Sequence, residues 1–201
     1  MRKILIAVMA MVTMLWFAGP THATLVDKGG GLIYDEDFNI TWLQDAGLGG
    51  QRDWYNAMAW ADALVYGGYD DWRLPTALNQ DGTGPCQGGY CTGSEMGHLY
   101  TALGNPVGGP LNNTYPFTNL QPDYYWSGTE HSTVPDFAWA FYFPYGDQRY
   151  DYKAASYSYF YAWAVRPGDV VSAPLPEPAT MLLLGSGLIG LWGARKKFFK
   201  K

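Results

Sequence analysis

Motifs for nucleophilic or metal-assisted chemistry are what this sequence has least of. It holds two cysteines and three histidines in 201 residues, and no Gly-x-Ser-x-Gly elbow, phosphate-binding Gly-rich loop or His-Glu-x-x-His pair. A zinc site built on Cys86 and Cys91 would need two more ligands at matching spacing, and only His98 and His131 remain in the body. Four residues with Gly88-Gly89 at their centre separate the two cysteines, a ring that closes without much strain, so one disulfide is the expectation. His98 and His131 read as surface or capping residues rather than bases, and no metal or cofactor is expected. Positive charge is also short: the net charge is −5 and the pI about 5.0. Arg2, Arg195, Lys196, Lys197, Lys200 and Lys201 sit near the ends, leaving the body more acidic still. That balance argues against nucleic acid or anionic lipid as the body's partner.

Two terminal segments read as addresses. Met1 to Ala23 has the basic pair Arg2-Lys3, an apolar run Ile4 to Ala18, and small residues at Thr21 and Ala23: a signal peptide cleaved after Ala23, with Thr24 as the mature start. At the other end, Pro176-Glu177-Pro178 precedes an uncharged stretch, 179–194, and the basic tail Arg195-Lys196-Lys197. As a helix that stretch covers ~24 Å of a ~30 Å hydrocarbon core, a deficit that snorkelling lysines and Trp192 make up. The basic tail then stays cytoplasmic and the body is held outside. Tripeptide, span and basic cluster in this order resemble the PEP-CTERM sorting signal of Gram-negative bacteria. The resemblance implies an exosortase-type transpeptidase as partner, cutting near Pro176-Glu177-Pro178, and membrane attachment before that cut. The chain thus divides into 1–23, 24–173 and 174–201.

The body, about 150 residues without a linker, suffices for one domain. Leu32-Ile33-Tyr34 and Ile40-Thr41-Trp42-Leu43 predict a hairpin around Asp35 to Asn39. Asp35, Asp37 and Asn39 mimic the start of a calcium loop, but Ile40 and Ala46 stand where an EF-hand needs Gly and Glu, which leaves only a looser cation site. Trp54, Ala57, Met58, Ala61, Leu64 and Val65 recur at helical spacing, with Asp53 to cap and Gly67-Gly68 to stop. The chain is then delivered to Trp72-Arg73-Leu74-Pro75-Thr76, the most specific stretch in the body. Pro75 bars helix there, so an extended crossing is expected, with Trp72 and Leu74 turned one way and Arg73 the other, paired to a carboxylate rather than catalytic. A second short helix follows over Ser94 to Leu103, with Met96, Leu99 and Leu103 on its apolar side. Gly104 to Pro122 reads as loop. Phe137 to Phe143 and Tyr157 to Val165 alternate as strands and pair antiparallel. Strands at both ends and helices between make this an α+β fold.

Asn39-Ile40-Thr41-Trp42, Asp71-Trp72-Arg73-Leu74-Pro75-Thr76, Glu95-Met96, Tyr125-Trp126-Ser127 and Ala164-Val165-Arg166-Pro167, in this order, resemble the Lcl C-terminal domain family, a domain of unknown function. The resemblance implies a single domain similar in fold to C-type lectins and formylglycine-generating enzymes, whose Arg-Leu-Pro-Thr segment is matched by Arg73 to Thr76. It implies scaffold roles for Trp72, Arg73, Trp126 and Arg166. The oxidase chemistry of the enzyme relatives does not carry over, because no late cysteine pair exists. An aromatic share of 17% predicts rings at the surface as well as in the core. These features point to an exported, non-catalytic module for polysaccharide or matrix. The alternative is a hydrolase of surface polymers using a pair among Asp70, Asp71, Asp136, Asp147 and Asp151, whose separation no sequence fixes.

Overall fold

The computed structural model describes residues 25–154 and 158–170. The expected signal peptide, the Pro176-Glu177-Pro178 motif, the apolar stretch 179–194 and the basic tail lie outside them. Among the described residues no helix is long and apolar enough to cross a membrane.

The described fold is mostly β, with two short helices. A four-stranded sheet runs in the order β1 (Leu25–Gly29), β2 (Leu32–Asp35), β3 (Ile40–Leu43), β9 (Val165–Pro167), all antiparallel. A five-stranded sheet runs β4 (Gln51–Arg52), β8 (Phe160–Tyr161), β5 (Tyr124–Glu130), β6 (Phe137–Tyr142), β7 (Asp147–Tyr152). It is antiparallel except where β8 meets β5. The predicted hairpin is β2–β3: its β-branched and aromatic residues fit a pleated buried surface, and all four residues of β3 are buried.

Both helices start where their caps put them. Asp53 accepts from the Asn56 amide ahead of α1 (Trp54–Asp62), and Ser94 accepts from the Gly97 amide ahead of α2 (Glu95–Ala102). The end of α1 differs from expectation. It stops at Asp62, an acidic residue in a last turn that holds no base to complement the macrodipole. Leu64 and Val65 lie beyond it, and Val65 is exposed. Gly67 and Gly68 do not stop the helix. With φ of +62° and +86° they form the centre of a tight turn whose flanks, Tyr66 and Tyr69, exchange two 3.0 Å hydrogen bonds. The Trp72 indole donates to the carbonyls of both tyrosines.

The last third also departs from the sequence reading. β6 pairs with Asp147–Tyr152, not with the later aromatic run. That run is no single strand: Phe160–Tyr161 belongs to one sheet and Val165–Pro167 to the other. Alternation alone cannot show a chain changing sheets in mid-pattern. The switch is the buried segment Ala162-Trp163-Ala164, fastened by Ala162 N–H to the Gly50 carbonyl and Leu43 N–H to the Ala164 carbonyl. The Trp163 indole donates to the Leu43 carbonyl at 2.7 Å. Trp163 thereby fixes the centre of the main core, with Trp42 and Phe117 at ring distances of 4.7 and 4.9 Å and Tyr125, Phe141 and Phe143 beside them. A second core joins α1 to β5 through Trp54, Ala57, Leu74 and Trp126. Among the described residues rings do reach the surface, and the exposed ones are tyrosines, including Tyr55, Tyr90, Tyr115 and Tyr145.

Candidate functional site

The extended stretch after the Tyr66–Tyr69 turn fastens the domain at several points. Arg73 exchanges two 2.9 Å backbone hydrogen bonds with Val165, so the segment lies along β9. On either side of this bridge stands an arginine–carboxylate fork. Arg166 donates to both oxygens of Asp71 at 2.7 and 2.9 Å and stacks on Tyr69. Arg73 donates to both oxygens of Glu95, at 2.8 and 2.6 Å, and to the Leu74 carbonyl. Glu95, the first residue of α2 and buried, also accepts the Thr76 amide at 2.7 Å. Trp72 is buried in the main core and Leu74 in the second. Trp126 is fully buried, its indole donating to the Arg52 carbonyl. Burial by itself would push the Arg73 guanidinium down; the bonds and charge of Glu95 overcome this and hold it above its ordinary range. The hydrogen bonds from Arg166 hold Asp71 below the usual carboxylate range.

Beyond Thr76 the chain forms a loop closed by the Cys86–Cys91 disulfide. So small a ring contributes about 2 kcal/mol by loop-entropy arithmetic. The loop is docked on β7: Gly88 and Gln148 exchange backbone hydrogen bonds, and the buried Gln148 side chain donates to the carbonyls of Ala77 and Cys86. Between this loop and the β2–β3 turn lies an open cleft of about 590 Å³. Phe38 and Tyr90 give it ring faces, and Asn79, Gln80, Asp81 and Thr92 give it polar groups. Gln80 ties the two walls by donating to the Asp37 carbonyl, while the Thr83 hydroxyl and amide hold the Asp81 carboxylate below its usual range.

The histidines divide. His131 is a cap: its Nδ1 faces the amides of Thr133 and Val134, and its ring stacks on Trp139. His98 is neither a surface residue nor a cap. Its ring packs against Phe38, and its Nε2 stands 3.5 Å from Asp35 Oδ1 and 3.7 Å from Asp37 Oδ2. The sequence offered Asp35 and Asp37 as turn carboxylates and His98 as a separate helical residue. Nothing in their spacing, about sixty positions, could have paired them.

Residues 31–166 match the Lcl C-terminal domain, more than half of the chain. The chain belongs to the Lcl C-terminal domain family. Residues 174–197 match the PEP-CTERM protein-sorting motif, the mark of an exported surface protein processed by an exosortase. No curated protein matches the chain. Within this Lcl C-terminal domain, the two forks and the cysteine-loop cleft fall inside the matched span. The polar cleft residues lie where the sequence reading saw only a loop, because a cleft is made by two distant segments.

Proposed function

We propose that this protein is a polysaccharide- or matrix-binding module without catalytic activity, on a C-type-lectin-like scaffold. In this reading a signal peptide (1–23) exports the body (24–173), and an apolar helix in 174–201 holds it at the membrane until an exosortase-type transpeptidase acts near Pro176-Glu177-Pro178. The cleft beside the disulfide loop carries the reading. Sugars present an apolar ring face edged by hydroxyls, and Phe38 and Tyr90 stand there beside amides, a hydroxyl and an ionised carboxylate. Two of the carboxylates considered for hydrolysis are engaged elsewhere, Asp71 with Arg166 and Asp151 with Arg149 and Ser158, which favours binding over cleavage.

Binding is tested on a glycan array and by polysaccharide pull-down with the exported protein. Tyr90→Ala should weaken retention at least tenfold with unchanged melting, since Tyr90 is exposed and carries no core packing. Retention unaffected by Tyr90→Ala would remove the cleft from the reading, and release of new reducing ends from a bound glycan would replace the module with a hydrolase. The sorting step has its own test. Glu177→Ala should leave uncleaved, membrane-held protein in a host with the transpeptidase, and normal release would refute that role.

A further inference from the structure

We propose that Asp35, Asp37 and His98 form a zinc site that ties the β2–β3 turn to helix α2. Asp35 ends β2 and is completely buried. Its Oδ1 accepts the amides of Asp37 and Phe38 at 3.1 and 3.2 Å, which fixes the turn and sets both carboxylates on the side facing α2. Its Oδ2 is sealed from solvent and makes no hydrogen bond. His98 Nε2, which faces this carboxylate, is also sealed and makes none. A buried carboxylate oxygen and an imidazole nitrogen left without partners carry a desolvation cost that a bound cation would remove.

The distances point to a metal rather than to a direct Asp–His bond. The separations of 3.5 and 3.7 Å are too long for a hydrogen bond. Measured to Asp35 Oδ1, the oxygen that also holds the turn, and to Asp37 Oδ2, they are near the roughly 3.4 Å between donor atoms that share one tetrahedral zinc with bonds of about 2.0–2.1 Å. One candidate donor atom from each residue lies within 4.8 Å of the other two. Two carboxylates and a neutral imidazole carry two negative charges, matched by a divalent ion. The nitrogen donor disfavours calcium and magnesium, which take oxygen, and suits zinc. Phe38 packed on the His98 ring, and Gln80 bound to the Asp37 carbonyl, hold two of the donors in place. Asp37 is half exposed, which gives the ion an entry path and leaves a fourth position for water. The site adjoins the cleft through Phe38 but does not depend on what the cleft binds.

The full chain, purified in mild detergent and stripped with chelator, is titrated with zinc by calorimetry, with calcium and magnesium in parallel. One equivalent of zinc should bind and raise the melting midpoint, and cobalt in its place should give the visible absorption of a tetrahedral site. His98→Gln and Asp37→Asn should each weaken binding at least tenfold, a loss on the scale that even outer-sphere changes produce. Asp37 is exposed enough that its variant keeps the fold, and Asp35→Asn retains the turn's acceptor oxygen. His131→Gln should bind as the parent does. Absence of zinc binding by the folded chain, equal binding by the Asp37→Asn and His98→Gln variants, or a preference for calcium would overturn the proposal.

Discussion

Replacing Arg73 by lysine separates charge from geometry at the centre of the domain. The guanidinium makes three bonds, to Leu74 at 3.0 Å and to the two oxygens of Glu95 at 2.8 and 2.6 Å. An ammonium keeps the charge but reaches one carboxylate oxygen well, so about two bonds are lost. Hydrogen bonds to charged groups contribute roughly 1.5–3 kcal/mol each, and the side chain is 41% exposed, so water replaces part of the loss. A net cost of about 2 kcal/mol follows, equivalent to a fall of about 4–8 °C in melting midpoint for a chain of this size. The assay is calorimetry on the full chain with Arg73→Lys, Glu95→Gln and the double variant, whose coupling should be about 1–2 kcal/mol. Melting unchanged in Arg73→Lys together with lost glycan retention would refute the scaffold role and make Arg73 a ligand contact.

Two further outcomes are expected. Gly97→Ala should destabilise the domain by about 1–3 kcal/mol in chemical denaturation, although helix propensity alone favours alanine by about 1 kcal/mol, because an added Cβ would overlap the Cys91 carbonyl oxygen and lie 2.9 Å from Ser94 Oγ. A more stable Gly97→Ala would refute that packing. Asp71 has a lowered pKa in the fold, so its contribution is present above the unfolded value of about 3.9 and is lost as pH falls below it. Asp71→Asn should therefore cost about 1 kcal/mol at neutral pH, since the carboxylate is half-exposed although Arg166 is buried, and the gap should close in melts below about pH 4. A gap that persists in acid would refute the assignment.

Local features of this protein and its C-terminal sorting motif were legible in its sequence because their signals are local. Asp53 caps its helix through an amide three residues on, Pro75 forces extension on its neighbours, and two cysteines five positions apart close a small ring. The β2–β3 hairpin is likewise a matter of adjacent strands and one turn. The family likeness was readable for the same reason, in short runs such as Asp71 to Thr76. Tertiary structure decided whatever depended on distant segments meeting. The Arg73 carboxylate turned out to be Glu95, twenty-two positions away, and the Arg166 carboxylate is Asp71, ninety-five positions away. The aromatic run ending at Val165 alternates smoothly in sequence but is divided between two sheets, because each half pairs with a strand more than a hundred residues earlier, β4 for one and β3 for the other. His98 meets Asp35 and Asp37 only because α2 packs across the β2–β3 turn. Side-chain type records what a residue is able to bind, while its partner is chosen by the burial that brings two elements together.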